Sequence, residues 1–346
     1  MNIVHVYYSL NYGGIESLIV NITRSQIESD HNVDLILLNS QEDKNLLDSL
    51  HSNVNIYHLH RKIKSKSIYE ILKLNYLLLY NSYDIIHVHA PELSNLTLPI
   101  IRSKTILHIH ATSAITNSSV PKFKECISIS NAVNNVLKEK YNINNAHVVY
   151  NGIEFANFSQ KQSNLLSNNI ICIGALNNSI KNQTQIIEEF FIIKDIIKAN
   201  IYIVGSGSDY DILYDLIVKL KLTERVFLLG NKTQQWIKNN LCYYDLFIQA
   251  SKSEGLGIAA IESSAASVPM ILSNIEGHLE VSDMGKLCEL FELDTKGDLA
   301  NKILNFYNNP ELFFNLSREN RIQFENKFGF KIFNEKLMKI YSDTLI

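Results

Sequence analysis

The chain has 346 residues, 46% hydrophobic and 19% charged, which is enough for two globular domains with complete cores and excludes disordered and fibrous classes. Its formal net charge of −3 offers no cationic face to neutralise phosphates, so a dedicated nucleic-acid binder is excluded and small-molecule chemistry is expected. Cys126, Cys172, Cys242 and Cys288 show neither metal-knuckle nor redox spacing and read as buried reduced thiols of a cytosolic protein.

From the N-terminus, "MNIVHVYYSLNYGG" lacks the basic start, apolar core and small-residue cleavage site of an export signal and reads as a strand running into a turn. Short β-branched runs follow at 33–38, 54–59, 84–89, 104–110, 126–130 and 147–150, alternating with helical patterns. Near-continuous apolar strands separated by helices predict a parallel sheet covered on both faces. Within this half, "RKIKSKSIYEILKLNYLLLY" (61–80) places Arg61, Lys62, Lys64 and Lys66 ahead of an apolar stripe. That stretch is broken by Glu70, Lys73 and Asn75 and falls short of the roughly 20 residues that span a bilayer. It suits contact with an anionic membrane face, each nearby cation contributing roughly 1 kcal/mol. It suits equally a core-packed amphipathic helix behind solvated basic residues.

The polar stretch 156–169 reads as a linker, after which strands resume at 170–174, 200–205, 226–230, 245–249 and 269–273. The helix after the first of these places Ile186, Ile187, Phe190, Ile193 and Ile197 on one face, with Glu188, Glu189, Asp195 and Lys198 pointing away. The amphipathic segment 330–345 follows an already complete domain and is free to pack back onto the first. The expectation is an α/β chain of two Rossmann-like, doubly wound domains, 1–158 and 166–328, facing each other across a cleft, with 329–346 as a C-terminal helix. In such sheets ligands sit beyond the carboxyl ends of the strands.

"SKSEGLGIAAIESSAASVPMILSN" (251–274) runs loop, Gly-x-Gly turn and helix. Gly255 and Gly257 permit tight backbone, so amides near Leu256 to Ala259 can approach a phosphate, favoured by the helix dipole. Glu254 and Glu262 flank this turn. Taken alone they suit a dipole-complementing carboxylate and a solvated helix position.

Together with Pro269 and "SNIEGHLEV", the stretch "EGLGIAAIE" resembles the E-x7-E signature of family 4 retaining glycosyltransferases, which have the GT-B fold. It is most similar to the branch that builds bacterial capsule and other surface polysaccharides. Further segments resemble the same family in order: "YYSLNYGGIESLIVNI", "DIIHVHAPE", "ILHIHATS", "VVYNGIEFANF", "CIGALNNSIKNQTQIIEEF", "IYIVGSGSDYDIL" and "VFLLGN". The likeness covers nearly the whole chain. One position departs: Ala175 stands where the family has an arginine, while the lysine six positions later is present as Lys181.

The resemblance implies a nucleotide-sugar donor, most often a UDP-sugar, held by Gly14, Lys181, Glu254, Gly255, Leu256, Gly257, Ile258, Glu262 and Asn231. Glu254 would bind donor-sugar hydroxyls, Glu262 the ribose, and the loop at Asn231 and Lys232 the base. Catalysis would fall to Glu254, Lys181 and His110, with Gly13 and His89 on the acceptor side, a glycan or polyprenyl-linked glycan. His87 and His108 read as core residues, and Glu16 as a structural helix-start residue. No carboxylate joins the histidines at ligand spacing, and the family needs neither metal nor cofactor. The implied mechanism is same-face substitution, since no carboxylate is placed for double displacement. The implied location is cytoplasmic, with contact at the inner membrane face. Two other readings share the fold: a non-hydrolysing UDP-sugar epimerase, which would need more carboxylates about the sugar and no acceptor, and a catalytically weakened binding subunit, for which Ala175 speaks.

Overall fold

The structure is a computed structural model that describes residues 1–11, 13–63, 65–111, 123 and 125–345. Lys64 of the basic run, Tyr12 of the glycine-loop stretch and Thr112 and Ser113 of "ILHIHATS" lie outside the described residues.

The chain divides into two compact units, residues 1–152 with 331–346, and residues 153–330. In the first unit the described residues form a seven-stranded parallel sheet of β1 (Asn2–Tyr7), β2 (Asn32–Leu37), β3 (Asn55–His58), β4 (Ile85–Val88), β5 (Thr105–Ile109), β6 (Glu125–Ser128) and β7 (Ala146–Val148). Its order is β3-β2-β1-β4-β5-β6-β7, so the winding reverses between β1 and β4. Central strands are apolar on both faces because both are covered: Ile3, Val4, Val6, Ile85, Ile86 and Val88 are all buried. The C-terminal helix Phe330–Thr344 serves this unit, with Tyr341 fully buried and hydrogen-bonded to His87 on β4.

The second unit holds a six-stranded sheet of β8 (Asn169–Ile173), β9 (Asn200–Val204), β10 (Val226–Gly230), β11 (Leu246–Gln249), β12 (Met270–Ser273) and β13 (Glu289–Phe291). The order β10-β9-β8-β11-β12-β13 reverses between β8 and β11. The short edge strand β13 is absent from the sequence expectation: its three residues include a half-buried glutamate and give no apolar run.

Two expectations need correction. Glu189 does not point to solvent: it is 4% exposed, and its carboxylate accepts from the backbone N–H groups of Gly297 at 2.9 Å and Ala300 at 3.2 Å. It satisfies orphan donors at the start of helix Asp298–Asn308, where the dipole also favours negative charge. The stretch 156–169 is not a free linker but part of the second unit. Lys161, 5% exposed, pairs with fully buried Asp245 at 2.9 Å, and Asp245 also accepts from the backbone of Ser167 and Asn169. A buried pair so completely hydrogen-bonded fixes the segment that carries it.

Candidate functional site

In the second unit the paired Lys181 and Glu254 lie beyond the carboxyl ends of the two strands that flank the reversal, where doubly wound sheets leave room for a ligand. In the second unit, β8 leads through Gly174 into the short helix Asn178–Lys181, and β11 leads into the loop carrying Glu254. Lys181 Nζ meets Glu254 Oε1 at 2.5 Å across this point. Gln249 Nε2 and Ser251 Oγ donate to the same oxygen at 2.7 and 2.6 Å. Three donors thus hold one carboxylate oxygen, in side chains only 10% (Glu254) and 22% (Lys181) exposed. An ammonium so placed is a ready counter-charge for an anion, and the carboxylate is oriented to accept hydrogen bonds. Ala175 is exposed beside this group, so the family's second cation has no substitute at that position.

Behind the loop, Gly257 takes a left-handed conformation (φ 74°) and caps helix Ile258–Ala265, while Leu256 is buried. Gly255 does not adopt positive φ, so only Gly257 needs glycine on conformational grounds. Residues that the sequence left without a role support the loop. Gly277 lies so close that a Cβ there would come within 2.7 Å of the Glu254 carbonyl oxygen. His278, fully buried, lies under Gly257 and places Nδ1 3.0 Å from the Ser273 carbonyl oxygen; burial lowers its pKa to about 4. Both sit in "SNIEGHLEV", whose glycine and histidine were the available signal.

Glu262 does not join the Glu254 group. It lies on the second turn of its helix, 5% exposed, and accepts a hydrogen bond from Gln234. Burial raises its pKa to about 7, against which the Gln234 bond and nearby Lys238 act only in part. It is therefore not a solvated helix position. Asn231 is exposed in the loop after β10, ahead of the helix Gln234–Asn240 that supplies Gln234.

In the first unit, Gly13 is extended and Gly14 opens helix Gly14–Glu28. Glu16 in its first turn folds back against Gly13, where a Cβ would stand 2.3 Å from Glu16 Oε2. Nothing lies within 4 Å of a Cβ at Gly14. His89 and His110 belong to an array of five buried histidines with His5, His87 and His108. Alternation on adjacent strands sets His87 beside His89 and His108 beside His110, with ring centroids 4.1 Å apart in each pair. Burial drives all five towards the neutral form, His5 to about 4 and His110 to about 3. Two triads bring nitrogens within 4.8 Å of one another, close enough to raise the question of a metal ion. Both nitrogens of His5, His87 and His89 are already engaged in hydrogen bonds, so among the described residues only His108 Nε2 and His110 Nδ1 of the array stand without a partner.

Residues 154–323 match the family model described as Glycosyl transferases group 1, and residues 12–157 match Glycosyltransferase Family 4. An uncharacterised glycosyltransferase of Methanocaldococcus jannaschii is 27% identical over 275 residues, 75% of each chain. The O-antigen biosynthesis glycosyltransferase WclY of Escherichia coli is 27% identical over 202 residues, which cover 57% of this chain and 55% of that one. Among solved structures, Anabaena HepE in complex with UDP and glucose superposes with a TM-score of 0.83 at 17% identity, over 99% of both chains.

Proposed function

The chain is a GT-B glycosyltransferase, a family 4 domain followed by a group 1 domain, and from this we propose that it transfers a sugar from a nucleotide diphosphate donor, a UDP-sugar, to a glycan or polyprenyl-linked glycan in surface polysaccharide assembly. The observation that carries the proposal is the Lys181–Glu254 pair at the reversal of the second sheet, held by Gln249 and Ser251 beside a glycine-capped helix start. The UDP complex of Anabaena HepE and the O-antigen assignment of WclY support the donor and pathway class.

On this reading the diphosphate takes over the Lys181 ammonium and the amides that open helix Ile258–Ala265, while Glu254 accepts hydrogen bonds from the donor sugar. Glu262, buried and poised between protonation states, contacts the ribose, and the Asn231 loop the base. His110 and His89 serve the sugar and acceptor. The bond from the anomeric carbon to the phosphate oxygen breaks as the acceptor oxygen bonds to the same face. The acceptor proton passes to the departing phosphate oxygen. Lys181 and fixed backbone dipoles stabilise the developing charge, which makes preorganised electrostatics the main source of acceleration and leaves no step to a metal or cofactor. The result is retention at the anomeric carbon.

Incubation with a panel of UDP-, GDP- and ADP-sugars and lipid-linked acceptors is expected to release nucleotide in the presence of a chelator. Glu254→Gln is expected to lower that release at least 100-fold, in line with the loss of one preorganised polar contact to the reacting group. Full activity in the variant removes Glu254 from the site. Conversion of the sugar without acceptor supports the epimerase reading instead.

We assign the working location to the cytoplasmic membrane face. No helix among the described residues is long and apolar enough to cross a membrane. Helix Tyr69–Tyr80 instead turns a stripe of Tyr69, Leu72, Tyr76 and Tyr80 outward, behind Arg61, Lys62 and Lys66. Anionic lipid is the surface that this pairing of aromatic, aliphatic and cationic side chains fits.

A further inference from the structure

The five buried histidines form two hydrogen-bonded branches that meet at one residue. Gln26, 1% exposed on helix Gly14–Glu28, places Oε1 2.8 Å from His5 Nε2 and donates from its own Nε2 to the Tyr341 hydroxyl at 3.3 Å. A carboxamide oxygen can only accept, so neutral His5 carries its proton on Nε2 and offers a bare Nδ1. His89 Nε2, 2.9 Å from that nitrogen, must donate to it, which bares His89 Nδ1. His110 Nε2, 3.4 Å further along, donates in its turn and leaves His110 Nδ1 bare. On the second branch the Tyr341 oxygen accepts from Gln26, so its proton goes to His87 Nδ1 at 2.5 Å. His87 Nε2 then donates to His108 Nδ1 at 3.2 Å. The branches end at His110 Nδ1 and His108 Nε2, the two histidine nitrogens of the array with no partner among the described residues. Turning the Gln26 amide over would reverse every bond and move all five protons to Nδ1.

We propose that Gln26 and Tyr341 are positioning residues that hold His5, His87, His89, His108 and His110 in the Nε2–H form, which leaves His110 with a bare Nδ1. His110 is the array's most exposed member at 8%, against 2% or less for the others, and its Nδ1 is itself buried. The hydrogen bond made by one imidazole nitrogen sets what the other can offer. The tautomer assignment is independent of the activity.

The test is nuclear magnetic resonance of the full chain labelled with ¹⁵N-histidine, using long-range proton–nitrogen correlations assigned by single substitutions. All five rings are expected to show the Nε2–H pattern. Tyr341→Phe, which keeps the ring and removes only the hydroxyl, is expected to leave His5, His89 and His110 unchanged and to release His87 and His108 into a mixture of tautomers. A proton on Nδ1 of His5, His89 or His110 in the wild-type protein overturns the proposal, as does one equivalent of zinc displacing these signals. The wild-type spectrum decides even if the variant fails to fold.

Discussion

Glu254 and Glu262 have the same spacing logic and opposite surroundings. Glu254 has an ammonium and two neutral donors on one oxygen, whereas Glu262 has a single amide donor within an apolar helix face. Burial raises the Glu262 pKa from 4.5 to about 7, so folding favours its protonated form. The stabilising contribution is therefore complete below about pH 4.5 and is lost as pH climbs through about 7. Glu262→Gln removes this dependence. The stability difference between variant and wild type should change by on the order of 3 kcal/mol in the variant's favour between about pH 5 and pH 8, read by urea unfolding. A difference that stays constant shows that Glu262 is ionised throughout. The two glutamates were legible in the sequence because their spacing is local. Their partners were less so: Lys181, 73 positions from Glu254, is named only through the family resemblance, and Gln234, 28 from Glu262, is not named at all. Hydrogen-bond partners brought together by the sheet leave no periodic trace in the chain, and Gln26, the root of the histidine array, is for the same reason one more buried face position in an amphipathic helix.

Elements were more legible than residues where burial enforces a pattern. The runs at 2–8, 84–89 and 170–174 became β1, β4 and β8 because strands covered on both faces must be apolar throughout. Glu189 shows the opposite case: a helical wheel counts a carboxylate as solvent-facing, yet a helix start elsewhere in the fold supplies its hydrogen bonds. Helix Tyr69–Tyr80 had two compatible readings from sequence, and it packs one face on the core while leaving a second apolar face uncovered. Leu74, Asn75 and Leu78 face the core, while Leu72 (63% exposed), Tyr76 (60%) and Tyr80 (70%) face out. A stripe left uncovered behind a basic segment is expected to bind vesicles of anionic phospholipid and not neutral ones. The double variant Leu72→Ser, Tyr76→Ser should lose most of that binding in a sedimentation assay while its unfolding midpoint is held, since neither side chain is buried. Equal binding to neutral vesicles, or no loss in the variant, contradicts the membrane role.

At the scale of the molecule, one design is used twice. Each unit is a parallel sheet whose order reverses once, and in the second the Lys181–Glu254 pair sits beyond the strands flanking the reversal. The amphipathic pattern of 330–345 showed that this helix buries a face but not against which unit; the structure groups it with the first, where Tyr341 completes the histidine array. The functional account depends on the second unit, where the proposed diphosphate position is the Lys181 ammonium and the glycine-capped helix start beside Glu254. Calorimetric titration of the full chain with UDP, GDP and ADP, repeated with Lys181→Met, tests this most directly. One nucleoside diphosphate should bind at a single site, and the variant should bind it at least tenfold more weakly with an unchanged unfolding midpoint. Binding of none of the three, or equal affinity in the variant, would contradict the account.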